Sequence, residues 1–439
     1  MTETQTPVPT QTDDGGPPER RSIQGFIRAT ELDTRLFGMV IALIAIWVGF
    51  NFATGGTFLS PRNLWNLSVQ TASVAIMATG MVLVIVERHI DLSVGSVLGV
   101  VGMLMALAQA RWLPDIWGFD HPATWIIALL FGVLVGAAIG AFQGLLVAYA
   151  RVPSFIVTLG GLLVWRGATW WASSGQTVAP MDRNFQLLGG GARGSIGATW
   201  SWIVAALACA GIVYLLLNGR RLRNRYGFGL RPTWADLTIG IVGCGAVIGW
   251  VGFANSYYMP ENLARAYAES HGIPWPEQGL LVPFGLPIPV LILIAVTLVV
   301  TFIATRLRFG RYVFAIGGNP EAAELGGVKS RATVLKTFMV MGMLVAIAAA
   351  VSVARLNSAV SGLGVTQELY VIAAAVIGGT SFAGGIGSIP GAVLGALIMQ
   401  SLQSGMVLMG VDAPLQDIVV GAVLVLAVGI DSFTRREKK

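Results

Sequence analysis

The chain has 439 residues, 55% apolar and only 11% charged, with a mean hydropathy of +0.73. Soluble proteins carry about a quarter charged residues, so a soluble globular domain is excluded and an all-α, polytopic helical membrane protein is specified. The net charge of +6 does not imply nucleic acid, because the basic residues lie between apolar runs and serve topology.

Residues 1–35 are rich in Thr, Pro, Gln and Gly and cannot build a core, so a disordered cytoplasmic tail is expected. No small-residue cleavage site follows a short apolar core, which argues against a signal peptide. A single membrane domain, 36–432, contains twelve apolar segments: 36–54, 65–86, 92–110, 123–150, 155–173, 200–217, 236–254, 283–305, 333–354, 367–383, 390–410 and 415–430. Runs of about 20 residues suffice to cross a bilayer. Residues 433–439 form a short C-terminal cytoplasmic tail. An even count puts both termini on one side. With both inside, 21 Lys and Arg fall in or beside inner segments and 6 in outer ones, as the positive-inside rule requires.

Within the first third, HIDLSVGSVLGVVG (89–102) is dense in Gly and Ser and contains G-S-x-x-G. Its counterpart, IGGTSFAGGIGSIPG (377–391), repeats that pattern. Membranes tolerate such breaks only where protein or a watery cavity satisfies the freed backbone, and paired breaks mark the path in many transporters. Interfacial turns with small packing residues account for the same composition. Asp91, Ser93, Gly95, Ser96, Asn357, Thr380 and Ser381 are the candidate lining of a translocation path for an uncharged, hydroxyl-rich solute. Each polar one can equally cap a helix or bond backbone. Between the two breaks, Gly132, Gly136, Gly140 and Gly144 form a smooth ridge on the fourth segment, suited to close helix packing. Cys209 and Cys244 lie in apolar runs and read as small core residues. Residues 220–232 form a basic inner loop, and 255–279 an amphiphilic outer one.

A polar, basic island, 306–336, then separates two apolar segments. Its middle reads as a short capped helix. Asn319 can accept a bond from a free first-turn amide, and Pro320 suits the first helical position. Glu321 and Glu324 complement the dipole, and Gly326 and Gly327 end it. Such a helix gains little from its own hydrogen bonds, so it is either a solvated loop or a docking surface.

Several chemistries lack their residues. There is no G-x-x-x-x-G-K-[ST] phosphate loop, and His89, His121 and His271 are scattered, so neither nucleotide hydrolysis nor a metal centre is expected. No nucleophile and base are paired, which argues against an enzyme. Arg166 is the one charge well inside a segment, while Glu87, Asp91, Arg355, Glu368 and Asp431 sit at segment ends. An ion-driven carrier normally uses a deep carboxylate, so that mechanism is disfavoured.

GRYVFAIGGNPEAAELGGV resembles the cytoplasmic loop of bacterial ABC importer permeases, whose EAA-x-x-x-G element engages the ATPase. Glu321, Ala322, Ala323 and Gly327 match it in register. GMVLVIVERHIDLSVGS, VPSFIVTLGGLLVWRG and IAAAVIGGTSFAGGIGSIPGAVLGALI resemble the ribose/xylose/galactose class of these permeases, in the same order. Arg88 and His89 replace the common Gly-Gly. The resemblance implies a ten-helix core, here with an inserted pair at about 200–281, as in xylose-type permeases. It implies a coupling loop at 306–332, a homodimeric path, separate ATPase subunits that hold ATP and Mg, and an extracytoplasmic sugar-binding protein. The bacterial inner membrane is the implied location, and the chain itself would bind no cofactor. Xylose or a related pentose is the expected ligand. Galactose, inositol or a furanose signal molecule, and an ion-coupled carrier working alone, remain alternatives.

Overall fold

The computed structural model describes residues 34–191 and 193–436, so the expected N-terminal tail lies almost wholly outside the described residues, as does the end of the C-terminal one. All twelve apolar segments fall on helices. We label these α1 (Thr34–Ala53), α2 (Pro61–Val86), α3 (Val94–Leu107), α4 (Thr124–Ala148), α5 (Ser154–Ser173), α6 (Gly197–Arg225) and α7 (Thr233–Asn255). The outer loop contributes α8 (Glu261–Ser270), followed by α9 (Ile288–Arg306), α10 (Arg308–Gly318) and α11 (Pro320–Leu325). The chain closes with α12 (Ser330–Leu356), α13 (Gln367–Ile377), α14 (Ile389–Leu408) and α15 (Ala413–Arg436). β-Structure among the described residues is limited to isolated bridges.

Nine of the described helices are long and apolar enough to cross a membrane. They are α1, α2, α3 with its continuation to Trp117, α4, α6, α7, α9, α12 and α14. The expected count of twelve is not reached by this criterion. α5 is diluted by Arg166 and its Ser, Thr and Gly residues, and α13 has only 11 residues. The apolar part of α15 is Ala413–Gly429.

α2 is the axis of the bundle. Ser60 caps it by accepting from the Asn63 amide, Pro61 occupies the first turn, and 21 of its 26 residues are buried. α2 is enclosed by α9, α12, α13 and α14. The α4 glycine ridge lies against α3 and α12. Gly132 faces Met105, Gly136 the Gly342 carbonyl and Gly140 the Phe338 carbonyl; a Cβ on Gly144 would stand 2.9 Å from the Leu335 Cα. Contact this close replaces the hydrophobic drive that lipid does not supply.

The pair α6–α7 is appended rather than enclosed. It is fixed by a small cluster of Trp65 and Val69 from α2 with Ala205, Val251, Phe284 and Leu286, and by a 3.0 Å bond from the Trp65 indole to the Gly285 carbonyl. The basic stretch 220–232, expected as a loop, begins as the last turns of α6. Arg and Leu favour helix, and positive charge suits a helix C-terminus; Arg220 also pairs with Asp236 of α7 at 3.0 Å. Cys209 and Cys244 are free and half-buried, facing each other between α6 and α7.

Candidate functional site

The polar island folds as two helices, not one. α10 buries Gly310, Val313, Ile316 and Gly317 along one side, a spacing of three and four that packs it on the bundle. α11 then starts at Asn319, whose Oδ1 accepts from the Ala322 amide at 3.0 Å, with Pro320 in the first turn. Its end is a two-bond turn: the Gly327 amide donates to the Glu324 carbonyl and the Val328 amide to that of Ala323. That geometry requires a left-handed residue, and Gly327 has φ +83°. Ala323 is buried while Glu321, Ala322, Glu324, Gly326 and Gly327 are exposed. Leu325 is 91% exposed, an apolar side chain held out by a fixed helix. The sequence reading missed Leu325, although its place opposite Ala323 was available from helical periodicity.

The end of α10, just before α11, is tied to the bundle through Arg88. Arg88 lies just past α2 with φ +65°, a conformation that Gly adopts without cost and other residues rarely adopt. Its Nε donates to the Gly317 carbonyl and its Nη2 to the Gly318 carbonyl, both at 2.9 Å. The Gly385 amide, from the break before α14, donates to the Val86 carbonyl at 3.0 Å. Gly384 packs on the Arg88 stem, and any Cβ on Gly317 would collide with Val86 and Gly385. The end of α2, the end of α10 and the second break therefore meet within one hydrogen-bonded knot, one residue from the Asn319 cap.

Both Gly/Ser-rich stretches lead into helices that begin beside buried backbone. Asp91, Ser93, Gly95 and Ser96 come together at the start of α3. Asp91 Oδ1 accepts from the Ser93 amide at 2.9 Å and its hydroxyl at 2.6 Å, and the Gln143 amide donates to Ser93 Oγ at 2.8 Å. Gly95 lies against the Gly364 carbonyl and the Glu368 carboxyl, and a Cβ on Gly99 would stand 2.6 Å from the Leu363 carbonyl. The segment between α12 and α13 thus folds back into the bundle alongside α3. Thr380 and Ser381 sit in the other break; Ser381 Oγ accepts from the Ala383 amide at 3.1 Å, and Thr380 Oγ1 has no partner. Asn357 stands apart at the far end of α12, accepting from the Met181 amide at 2.9 Å.

Three carboxylates at helix ends are more deeply covered than their sequence positions suggest. Glu87, Asp91 and Glu368 are 3%, 4% and 7% exposed, and neither oxygen of Glu87 has a hydrogen-bond partner. Among the described residues, no group of His, Cys, Asp and Glu could hold a metal ion.

Comparison with known proteins adds an independent line. A family described as "Branched-chain amino acid transport system / permease component" matches residues 63–428. The xylose transport system permease protein XylH of Escherichia coli K12 is 39% identical over 415 residues, 94% of this chain and 95% of that protein. XylH of Haemophilus influenzae is 36% identical over 92% of this chain and 98% of its own length. The ribose import permease protein RbsC of Escherichia coli K12 is 32% identical over 85% and 87%. No solved structure matches the chain.

Proposed function

We infer what the chain does from one premise: it belongs to the family of permease components of branched-chain amino acid transport systems. It is the membrane-spanning permease of a bacterial ATP-binding cassette sugar importer. It works with a separate ATPase and an extracytoplasmic binding protein, and it has no catalytic site of its own. Its cargo is xylose or a related pentose. Support for the pentose is the 39% identity to a xylose permease along 94% of the chain, a span that includes the appended pair. Two copies line the path, each crossing the membrane twelve times with both ends cytoplasmic. The excess of Lys and Arg on that side supports this orientation.

The observation that carries the reading is α11: capped at both ends, anchored by Ala323 and exposed through Leu325. A helix of six residues is not stable alone, so its caps serve to present a fixed surface. ATP and Mg bind the ATPase, whose closure moves α11. α10 and the Arg88 knot pass that movement to the end of α2 and to the second break. Opening alternates between the two sides as these elements shift together. Asp91, Ser93, Gly95, Ser96, Thr380 and Ser381 belong to the breaks that move.

The test is Glu321→Lys in the complex reconstituted with ATPase and binding protein. Membrane insertion should be unchanged and ATP-driven xylose uptake lost. Uptake at the wild-type rate would refute α11 as the coupling element.

A further inference from the structure

Toward the other end of α2 from the Arg88 knot lies a polar chamber. Gln70 and Ser73 reach it from α2, Ser352 and Arg355 from α12, and Gln400 and Gln403 from α14. Its volume is about 130 Å³. A cavity of roughly 150 Å³ holds one benzene ring, so in this state the chamber is too small for a whole pentose and takes one only as the helices around it part. Gln70 and Val86 are separated by about 24 Å along the helix axis, and α2 is buried at every position from Ala72 through Val86.

Amides are costly to enclose in such a bundle unless partnered. Gln400 is only 4% exposed. Its amide nitrogen donates to Gln403 Oε1 at 2.7 Å and Gln70 Oε1 at 3.4 Å, yet its own Oε1 has no partner. Ser73 and Ser352 hydroxyls bond each other at 2.8 Å, and Ser73 lies 3.2 Å from the Ala348 carbonyl. Among the described residues, no carboxylate forms an ion pair with Arg355.

The donor set selects the ligand. Amide oxygens accept, amide nitrogens and guanidinium donate, and hydroxyls do both. A ring bearing several hydroxyls meets all of these, because each hydroxyl also donates and accepts. A cation would face Arg355, whereas the amides of Gln70, Gln367, Gln400 and Gln403 are neutral and both donate and accept. We propose that this chamber is a selective station for a neutral monosaccharide ring inside the permease itself, with Gln400 Oε1 accepting from a sugar hydroxyl and Arg355 donating across its neighbours. The proposal rests on the sugar-importer reading and adds a second point of discrimination after the binding protein. A station on a path must hold its cargo weakly enough to release it, and a handful of neutral hydrogen bonds meets that condition.

The experiment uses the whole complex in proteoliposomes, with the binding protein and either xylose or a deoxy-xylose lacking one hydroxyl. Gln400→Leu should lower xylose transport per ATP about tenfold, the effect of losing one buried polar contact. It should also abolish the wild-type preference for xylose over the deoxy sugar. Membrane insertion should be retained. Gln403→Ala, at a half-buried position, gives a smaller fall in the same direction and covers the case in which Gln400→Leu does not fold. Wild-type kinetics and preference in both variants would overturn the chamber. Stronger inhibition by the anion xylonate than by xylose would overturn the neutral ligand. A wild-type complex that transports no sugar would instead bring down the importer reading, and the chamber with it.

Discussion

α2 and α7 have the same mean hydropathy, 2.0 over their most apolar windows, yet 89% of that window is buried in α2 and 11% in α7. Both also contain small residues. The difference lies in what those residues meet. Gly80 of α2 lies against Met341 and Leu344, whereas Gly245 and Gly249 of α7 have nothing within 4 Å of an added Cβ. Hydropathy measures compatibility with lipid; whether a helix is a hub or an appendage depends on backbone approach. The enclosed bundle with its knot to α11 is the working part, and α6–α7 is a flank fastened mainly through Trp65.

Substitutions should separate the two regions by the size of their effects. The largest belongs to Gly140→Leu, which drives a side chain into the Phe338 backbone. Overpacking typically costs about 1–3 kcal/mol and more where backbone must yield, so no monodisperse peak should survive size-exclusion chromatography in detergent. Next comes Leu325→Asp, which should weaken ATPase binding by about 2 kcal/mol, as for an interface anchor, with melting temperature unchanged; titration of the ATPase onto solubilised permease reads it.

Arg88 should show an intermediate effect that sharpens the contrast. Arg88→Ala loses both bonds to Gly317 and Gly318 and keeps the strained φ of +65°. Arg88→Gly loses the same bonds and relieves a strain of about 1–2 kcal/mol. Thermal melts should therefore place Gly above Ala, while complexes of either variant with the ATPase still hydrolyse ATP and move less sugar per ATP. The smallest effect is expected in the flank. Gly249→Ala, in open space, should alter stability by no more than about 0.5 kcal/mol and leave uptake unchanged.

Much of this architecture was legible in the sequence because it is local. Apolar length located the helices of the twelve apolar segments, and Asn319, Pro320 and Gly327 sit where the α11 caps require them. α10 was not legible: glycine has low helix propensity, and what Gly310 and Gly317 supply is close backbone contact, visible only in the fold. The depth of Glu87, Asp91 and Glu368 was missed because a carboxylate at the end of a segment looks solvated until the segment after it folds back inward. Gln70, Ser352 and Gln400 lie up to 330 positions apart, so no local pattern could have joined them. The roles assigned to the break residues stay with the proposal, and Asn357, which holds the Met181 loop, is distant from them.

Those three buried carboxylates are also what an ion-coupled carrier would use, so the decisive measurement sets the two mechanisms against each other. Purified permease is placed in liposomes, alone or with its ATPase and xylose-loaded binding protein, and labelled xylose is followed with a proton or sodium gradient or with ATP. The account predicts accumulation only in the complete complex and only with ATP. Accumulation by the permease alone, driven by either gradient, would contradict it.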